Sequence, residues 1–76
     1  MNNTRRKSIT KLMAQIEELR SDLECLLDEE QEAFDNMPEG LQYSERGERM
    51  EEIISYIEDA VGSLEEVNEN LEEAIS

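Results

Sequence analysis

The side chains that could do chemistry in this sequence are almost all carboxylates. Carboxylates can transfer protons, bind divalent cations or attract a basic partner. Acidic doublets recur every seven residues in the second half of the chain. These residues, called here the acidic stripe, are Glu51, Glu52, Glu58, Asp59, Glu65, Glu66, Glu72 and Glu73.

The residues that usually complete a catalytic or metal site are missing. The sequence contains no His, and its one thiol, Cys25, has no His to activate it. A zinc site needs more His and Cys ligands than this, and the acids do not follow the spacing of an EF-hand loop. We therefore expect a protein that is not an enzyme, with no catalytic residue, no bound metal and no cofactor.

Composition bounds the class of protein further. The chain has 76 residues, 21 acidic against 7 basic side chains, and a formal charge of −14. A chain this short builds a small core and commonly needs a disulfide, a metal or self-association. One Cys cannot form an internal disulfide, so self-association is the route that we expect.

The hydropathy pattern predicts a protein outside the membrane. The longest apolar runs have two residues, as at Leu26-Leu27, whereas a span needs about 20. The basic start, Met1 to Met13, lacks the apolar stretch of a secretory signal. We interpret the chain as cytoplasmic, with no membrane partner.

The elements that position these carboxylates are two long amphipathic helices. Apolar residues at alternating steps of three and four indicate a heptad pattern. In helix one these are Ile9, Leu12, Ile16, Leu19, Leu23, Leu26, Ala33 and Met37, flanked by Met13, Leu27 and Phe34. In helix two they are Met50, Ile53, Ile57, Ala60, Leu64, Val67, Leu71 and Ala74, flanked by Ile54, Val61 and Ile75.

A short turn around Pro38 predicts that the helices are antiparallel neighbours. The predicted domain is one all-α helical hairpin. Its segments are a basic, flexible tail at 1–7, helix one at 8–36 with Ser8 as N-cap, a turn at 37–43, and helix two at 44–75. We expect Leu41 and Tyr43 to fold back over the open end.

Each helix has about three apolar positions per heptad, more than the two that a bare pair of helices uses. This surplus favours a homodimer that forms a four-helix bundle, with hetero-association as the competing explanation. Glu30 interrupts the apolar pattern, and we expect Arg46 or Arg49 to pair with it. That pair is either partly exposed or a device that fixes the register.

Charge is sorted along the chain. Arg5, Arg6, Lys7 and Lys11 are the only charged residues before Glu17, and no base follows Met50. The hairpin brings these cations toward the acidic C-terminal turns, so we expect some internal neutralisation.

The acidic stripe has two interpretations. It is either a solvated face or a partner-binding surface. In the second case, carboxylates imitate DNA phosphates and bind a basic host protein such as a nuclease, without direct binding of nucleic acid. Tyr56, an exposed-looking aromatic residue, is the candidate contact. The competing function is a structural or assembly module that binds through its apolar face.

The segment Asn36-Met37-Pro38-Glu39-Gly40-Leu41-Gln42-Tyr43-Ser44-Glu45-Arg46-Gly47-Glu48 leads into the heptads. With them it resembles small acidic helical proteins of bacteriophages and prophages, over residues 30–76. The resemblance implies a phage accessory role and transfers no functional residue. By analogy in charge and size, the chain is similar to phage inhibitors that block host defence enzymes by looking like DNA.

Overall fold

The fold is a hairpin of two long helices. The computed structural model describes residues 1–76, with α1 at Asn3–Asp35, α2 at Glu39–Gln42 and α3 at Glu45–Ile75. Helices α1 and α3 pack side by side in a rod of 58 × 15 × 12 Å. Contacts between Met13 and Asn68 and between Arg20 and Glu65 show that they run antiparallel. The predicted all-α helical hairpin is confirmed.

Helix α1 begins earlier than predicted. The Asn2 side chain accepts a hydrogen bond from the Arg5 backbone N–H at 2.8 Å and caps the helix. Asn is among the best N-cap residues, because its side-chain oxygen satisfies a free N–H of the first turn. The predicted flexible tail at 1–7 is therefore wrong from Asn3 onward. Ser8, the predicted N-cap, lies inside the helix and donates to the Thr4 carbonyl.

The turn closes around Gln42. Helix α1 ends at Asp35, as Pro38 predicted, which leaves its last carbonyls without partners within the helix. The Gln42 side-chain amide donates to the carbonyl oxygens of Phe34 and Met37, at 3.1 and 3.2 Å. The expected cover by Leu41 and Tyr43 is wrong, since both side chains are exposed.

The closest backbone approach in the hairpin is at Gly47. Ser44 caps α3 by accepting from the Gly47 N–H at 3.4 Å. A Cβ atom at Gly47 would lie 2.1 Å from the Gln42 carbonyl oxygen, so any side chain there would collide with the backbone of the turn. Gly47 therefore allows the first turn of α3 to pack against α2.

The residues that pack between α1 and α3 are called here the seam. At every second heptad position, the residue in the seam is the one directly after the predicted residue. Its buried or half-buried members in α1 are Ile9, Met13, Ile16, Arg20, Leu23, Leu27, Glu30 and Phe34. Those in α3 are Gly47, Met50, Ile54, Ile57, Val61, Leu64, Asn68, Leu71 and Ile75. Ile54 and Val61 form its centre, at 7% and 8% exposure.

Three leucines predicted to lie in the seam are exposed instead. Leu12, Leu19 and Leu26 are 50%, 56% and 52% exposed. Each directly precedes the residue that takes its place, and two of those replacements, Met13 and Leu27, are also apolar. Ile53, next to buried Ile54, is only half-buried. The pattern of apolar residues alone could not choose between such neighbours.

Three positions in the seam are occupied by polar residues. They are Arg20 and Glu30 on α1 and Asn68 on α3. The Asn68 amide nitrogen donates to the Met13 carbonyl at 3.1 Å, while its Oδ1 atom is buried without a hydrogen-bond partner.

Glu30 does not form its expected ion pair. It is half-buried, and no cation lies within 4.0 Å of its carboxylate. Arg49 pairs instead with Glu52 on its own helix, at 2.9 Å.

Candidate partner-binding surface

All eight side chains of the acidic stripe are exposed on α3. In each doublet the first acid directly follows a seam residue, Met50, Ile57, Leu64 or Leu71. The second acid lies one position further around the helix, and successive doublets are about 10.5 Å apart at 1.5 Å per residue. The stripe therefore runs straight along α3, beside the seam and over the outer face.

Two members of the stripe have cations nearby. Glu52 pairs with Arg49, and Glu65 lies 3.8 Å from an Arg20 nitrogen. No cation lies within 4.0 Å of the other six carboxylates. Most of the negative charge on this helix is thus available to a partner.

Arg20 organises the acids at the middle of the rod. Its side chain is 19% exposed and contacts Glu17, Glu24 and Glu65, which joins the two helices. Hydrogen bonding to the Glu17 carboxylate raises the pKa of Arg20 above its ordinary value. The same hydrogen bond holds the pKa of Glu17 below its ordinary value. The sequence interpretation missed this cluster because Arg20 was not expected in the seam.

The Arg20 cluster also shows which side of the seam is acidic. Glu17 and Glu24 directly follow the α1 seam residues Ile16 and Leu23, and Glu65 directly follows Leu64 on α3. All three converge on one arginine, so both helices contribute acids to the same edge of the hairpin.

The opposite edge of the hairpin is apolar. One residue step turns a helix by about 100°, so the residue before every second seam position lies on the other side of the seam. These seam positions are Met13, Arg20, Leu27 and Phe34 of α1 and Ile54, Val61, Asn68 and Ile75 of α3. The residue before each of them is apolar. This apolar edge consists of Leu12, Leu19, Leu26 and Ala33 of α1 and Ile53, Ala60, Val67 and Ala74 of α3.

Tyr56 is 68% exposed on the outer face of α3. Residues three and four positions apart are neighbours on a helix, so the ring lies between Glu52 and Asp59 of the acidic stripe. A phenol there combines an apolar ring and a hydrogen-bonding hydroxyl with a carboxylate surface. Its role as a contact residue stays a prediction.

Cys25 and the N-terminal cations lie on the surface of α1. Arg5, Arg6 and Lys7 form no ion pair within 4.0 Å, and neither does Lys11. The expected neutralisation by the C-terminal acids therefore does not take the form of ion pairs.

No surface pocket and no cluster of three metal-ligating side chains occurs in the chain. Neither long helix contains a stretch apolar enough to cross a bilayer.

The fold and surface define an all-α helical hairpin with one acidic and one apolar edge. Comparison with protein-family models, with curated proteins and with solved structures finds no match to this chain.

Proposed function

We propose that this protein is a non-enzymatic interaction protein that binds a basic surface of a host nucleic-acid-binding protein, such as a nuclease. The observation that supports this proposal is the exposed acidic stripe, of which six carboxylates have no cation within 4.0 Å. The resemblance to phage proteins supports a cytoplasmic location of such an inhibitor, in a bacterial host.

The density of charge along α3 supports phosphate mimicry. The stripe runs from Glu51 to Glu73, a length of about 33 Å at about 1.5 Å per residue. Its eight carboxylates therefore give about one charge every 4 Å along the helix axis, close to the one phosphate per about 3.4 Å of axis that one strand of a DNA duplex carries. A basic groove that tracks a strand would meet a comparable density of charge.

The missing bases are a second support. A helix surface that served only stability would gain from Lys placed three or four residues from Glu, and α3 has none after Met50. Like charges on one helix repel and lower stability, so a function for the negative field explains the pattern better than solubility alone.

Charge reversal tests the proposal. Glu58→Lys with Asp59→Lys is the best variant, because neither side chain forms an ion pair and the Arg20 cluster stays intact. The matched control, Asp28→Lys with Glu29→Lys, makes the same change of charge on α1. Binding is measured by pull-down from bacterial lysate at low and high salt, with bound proteins identified by mass spectrometry.

The expected result is a nuclease or other DNA-binding protein that elutes with salt, competes with duplex DNA, and is lost with the α3 variant but not with the control. Counterion release makes such binding steeply salt-dependent. Equal capture by the α3 variant at every salt concentration would contradict the proposal.

A second candidate function is a structural or assembly module that binds through apolar residues. The exposed leucines of the apolar edge favour it. A partner that resists salt and is lost with Leu19→Ser would support this alternative. The surplus of apolar surface also leads us to propose that two heptad-patterned hairpins form a four-helix bundle.

A further inference from the structure

The lone hairpin exposes more surface than a folded monomer of its size usually does. Its accessible surface is 5785 Å² at 8.8 kDa, whereas the size scaling of monomeric proteins gives about 4,800 Å². Only two apolar side chains are buried, Ile54 and Val61. The excess of about 1,000 Å² is comparable to the ~800 Å² that each partner buries in a standard protein interface.

We propose that the apolar edge binds a second copy of this chain, with the two rods stacked antiparallel. This inference deepens the proposed four-helix bundle and does not depend on the acidic stripe having a partner. On each helix the edge spans 21 residue steps, from Leu12 to Ala33 and from Ile53 to Ala74, or about 32 Å at about 1.5 Å per residue. A face of that length and 15 Å wide, the wider side of the rod, gives about 950 Å² in total from two copies, close to the ~1,000 Å² that a specific interface needs.

The side chains of the edge are complementary in size in this arrangement. A two-fold axis across the middle of the rod stacks α1 on α1 of the second copy. Leu12 then faces Ala33 of the other copy, and Leu19 faces Leu26. On α3, Ile53 faces Ala74 and Ala60 faces Val67. Large residues meet small ones in three of these four pairs, which is how facing layers interdigitate.

Charge selects the antiparallel orientation over the parallel one. One end of the rod carries the cations Arg5, Arg6, Lys7 and Lys11 beside the acids Glu69, Glu72 and Glu73 of α3, so its net charge is near zero. Toward the other end, the segment from Asp28 to Glu48 has eight acids and one Arg. Parallel stacking would place two such acidic segments together, whereas antiparallel stacking places each beside the cations of the other copy.

Arg5 shows this complementarity most directly. It lies seven residues before Leu12 and so continues the line of the edge. In the antiparallel stack it lies past the end of α1 of the second copy at Asp35, toward the acidic turn that follows. The acidic edges then face away from the interface on both hairpins, which limits the repulsion between two chains of charge −14.

The first test is the molar mass in solution by sedimentation equilibrium across a dilution series, at low and high salt. The expected mass is twice 8.8 kDa, with tighter association at high salt because the two chains repel overall. Leu19→Ser with Leu26→Ser should weaken association at least about 100-fold, given the apolar area lost. Glu58→Lys with Asp59→Lys, outside the edge, is the control and should stay dimeric.

Disulfide trapping tests the orientation and does not depend on those variants folding. In a Cys25→Ser background, Leu19→Cys with Leu26→Cys places two thiols about 10.5 Å apart on one helix. That is beyond the Cα separation of about 7 Å that a disulfide tolerates, so a bond must join two chains. Leu12→Cys with Leu19→Cys has the same spacing, but neither cysteine faces a cysteine of the second copy. This pair serves as the matched control.

The expected result is a covalent dimer for the first pair and not for the control under the same oxidation. A monomeric wild-type chain at every concentration would overturn the inference. Equal trapping of both pairs would overturn the antiparallel stack. The two proposals can be distinguished by their results. A dimer that captures no basic protein would support this inference and contradict the proposed function. A monomer that captures a basic protein would do the reverse.

Discussion

Two glycines on α3 should respond oppositely to the same substitution. Gly62 is exposed, and a Cβ atom there would meet nothing within 4 Å. Ala is favoured over Gly within a helix by about 1 kcal/mol, so Gly62→Ala should raise the free energy of unfolding by about that amount. For a domain of this size, 1 kcal/mol shifts Tm by about 4–8 °C.

Gly47→Ala should lower the free energy of unfolding despite the same gain in helix propensity. The new Cβ would lie 2.1 Å from the Gln42 carbonyl oxygen and 2.5 Å from its carbon. These are backbone atoms, so α2 must move away from α3, and overpacking of this kind costs about 1–3 kcal/mol. The movement also disturbs the two hydrogen bonds from the Gln42 side chain, worth about 0.5–1.5 kcal/mol each.

The two costs together exceed the gain, so Gly47→Ala should be less stable than the wild type by about 1–5 kcal/mol. The assay is urea unfolding followed by circular dichroism at one protein concentration, since association would make stability concentration-dependent. A Gly47→Ala protein as stable as the wild type would refute the close approach of α2 to α3. Destabilisation by Gly62→Ala would show that this exposed position contacts a partner.

Two further predictions concern polar residues of the hairpin. Because the pKa of Glu17 is lowered in the folded state, its pairing with Arg20 stabilises the fold above the unfolded pKa of about 4.5, and this contribution is lost as pH falls through the lower, folded pKa. Glu17→Gln should therefore reduce Tm at pH 7 but not at strongly acidic pH. The control is Glu18→Gln, which should leave Tm unchanged at both pH values because Glu18 forms no ion pair. Equal effects of the two variants would contradict the pairing. Asn68→Leu removes a buried oxygen without a partner and should raise the free energy of unfolding by about 1 kcal/mol, measured as a higher urea midpoint. The variant also loses the hydrogen bond to Met13, which loosens the register of the two helices. A lower midpoint would show that this bond outweighs the buried oxygen.

The hairpin could be predicted because its signals are strong and local. Pro38 ends α1 near Asp35, and Ser44 begins α3, where backbone geometry and capping depend on residues close in sequence. The N-terminal limit was wrong for a similar local reason. Ser8 and Asn2 are both acceptable caps, and the cap nearer the start allows more helical turns to form.

Which side of each helix packs against the other was predicted less accurately than the helices themselves. With about three apolar positions per heptad, either of two neighbouring residues could lie in the seam, and counting apolar residues favoured the wrong one. That count excluded Arg20 and Asn68 from the seam, although both lie in it. Arg20 is tolerated there because its long side chain carries the guanidinium to the edge, where Glu17 and Glu24 bind it.

The shift of the seam by one station also changes which surfaces remain for partners. If Leu19 packed against α3, the exposed edge would contain Met13, Arg20 and Leu27, and Arg20 would interrupt its apolar surface. Because Met13, Arg20 and Leu27 pack instead, the leucines that precede them form a continuous edge opposite the acids. The two proposed interactions, with a copy of the chain and with a basic protein, are compatible because the two surfaces lie on different sides of the rod. The acidic and assembly hypotheses thus describe two edges of one molecule.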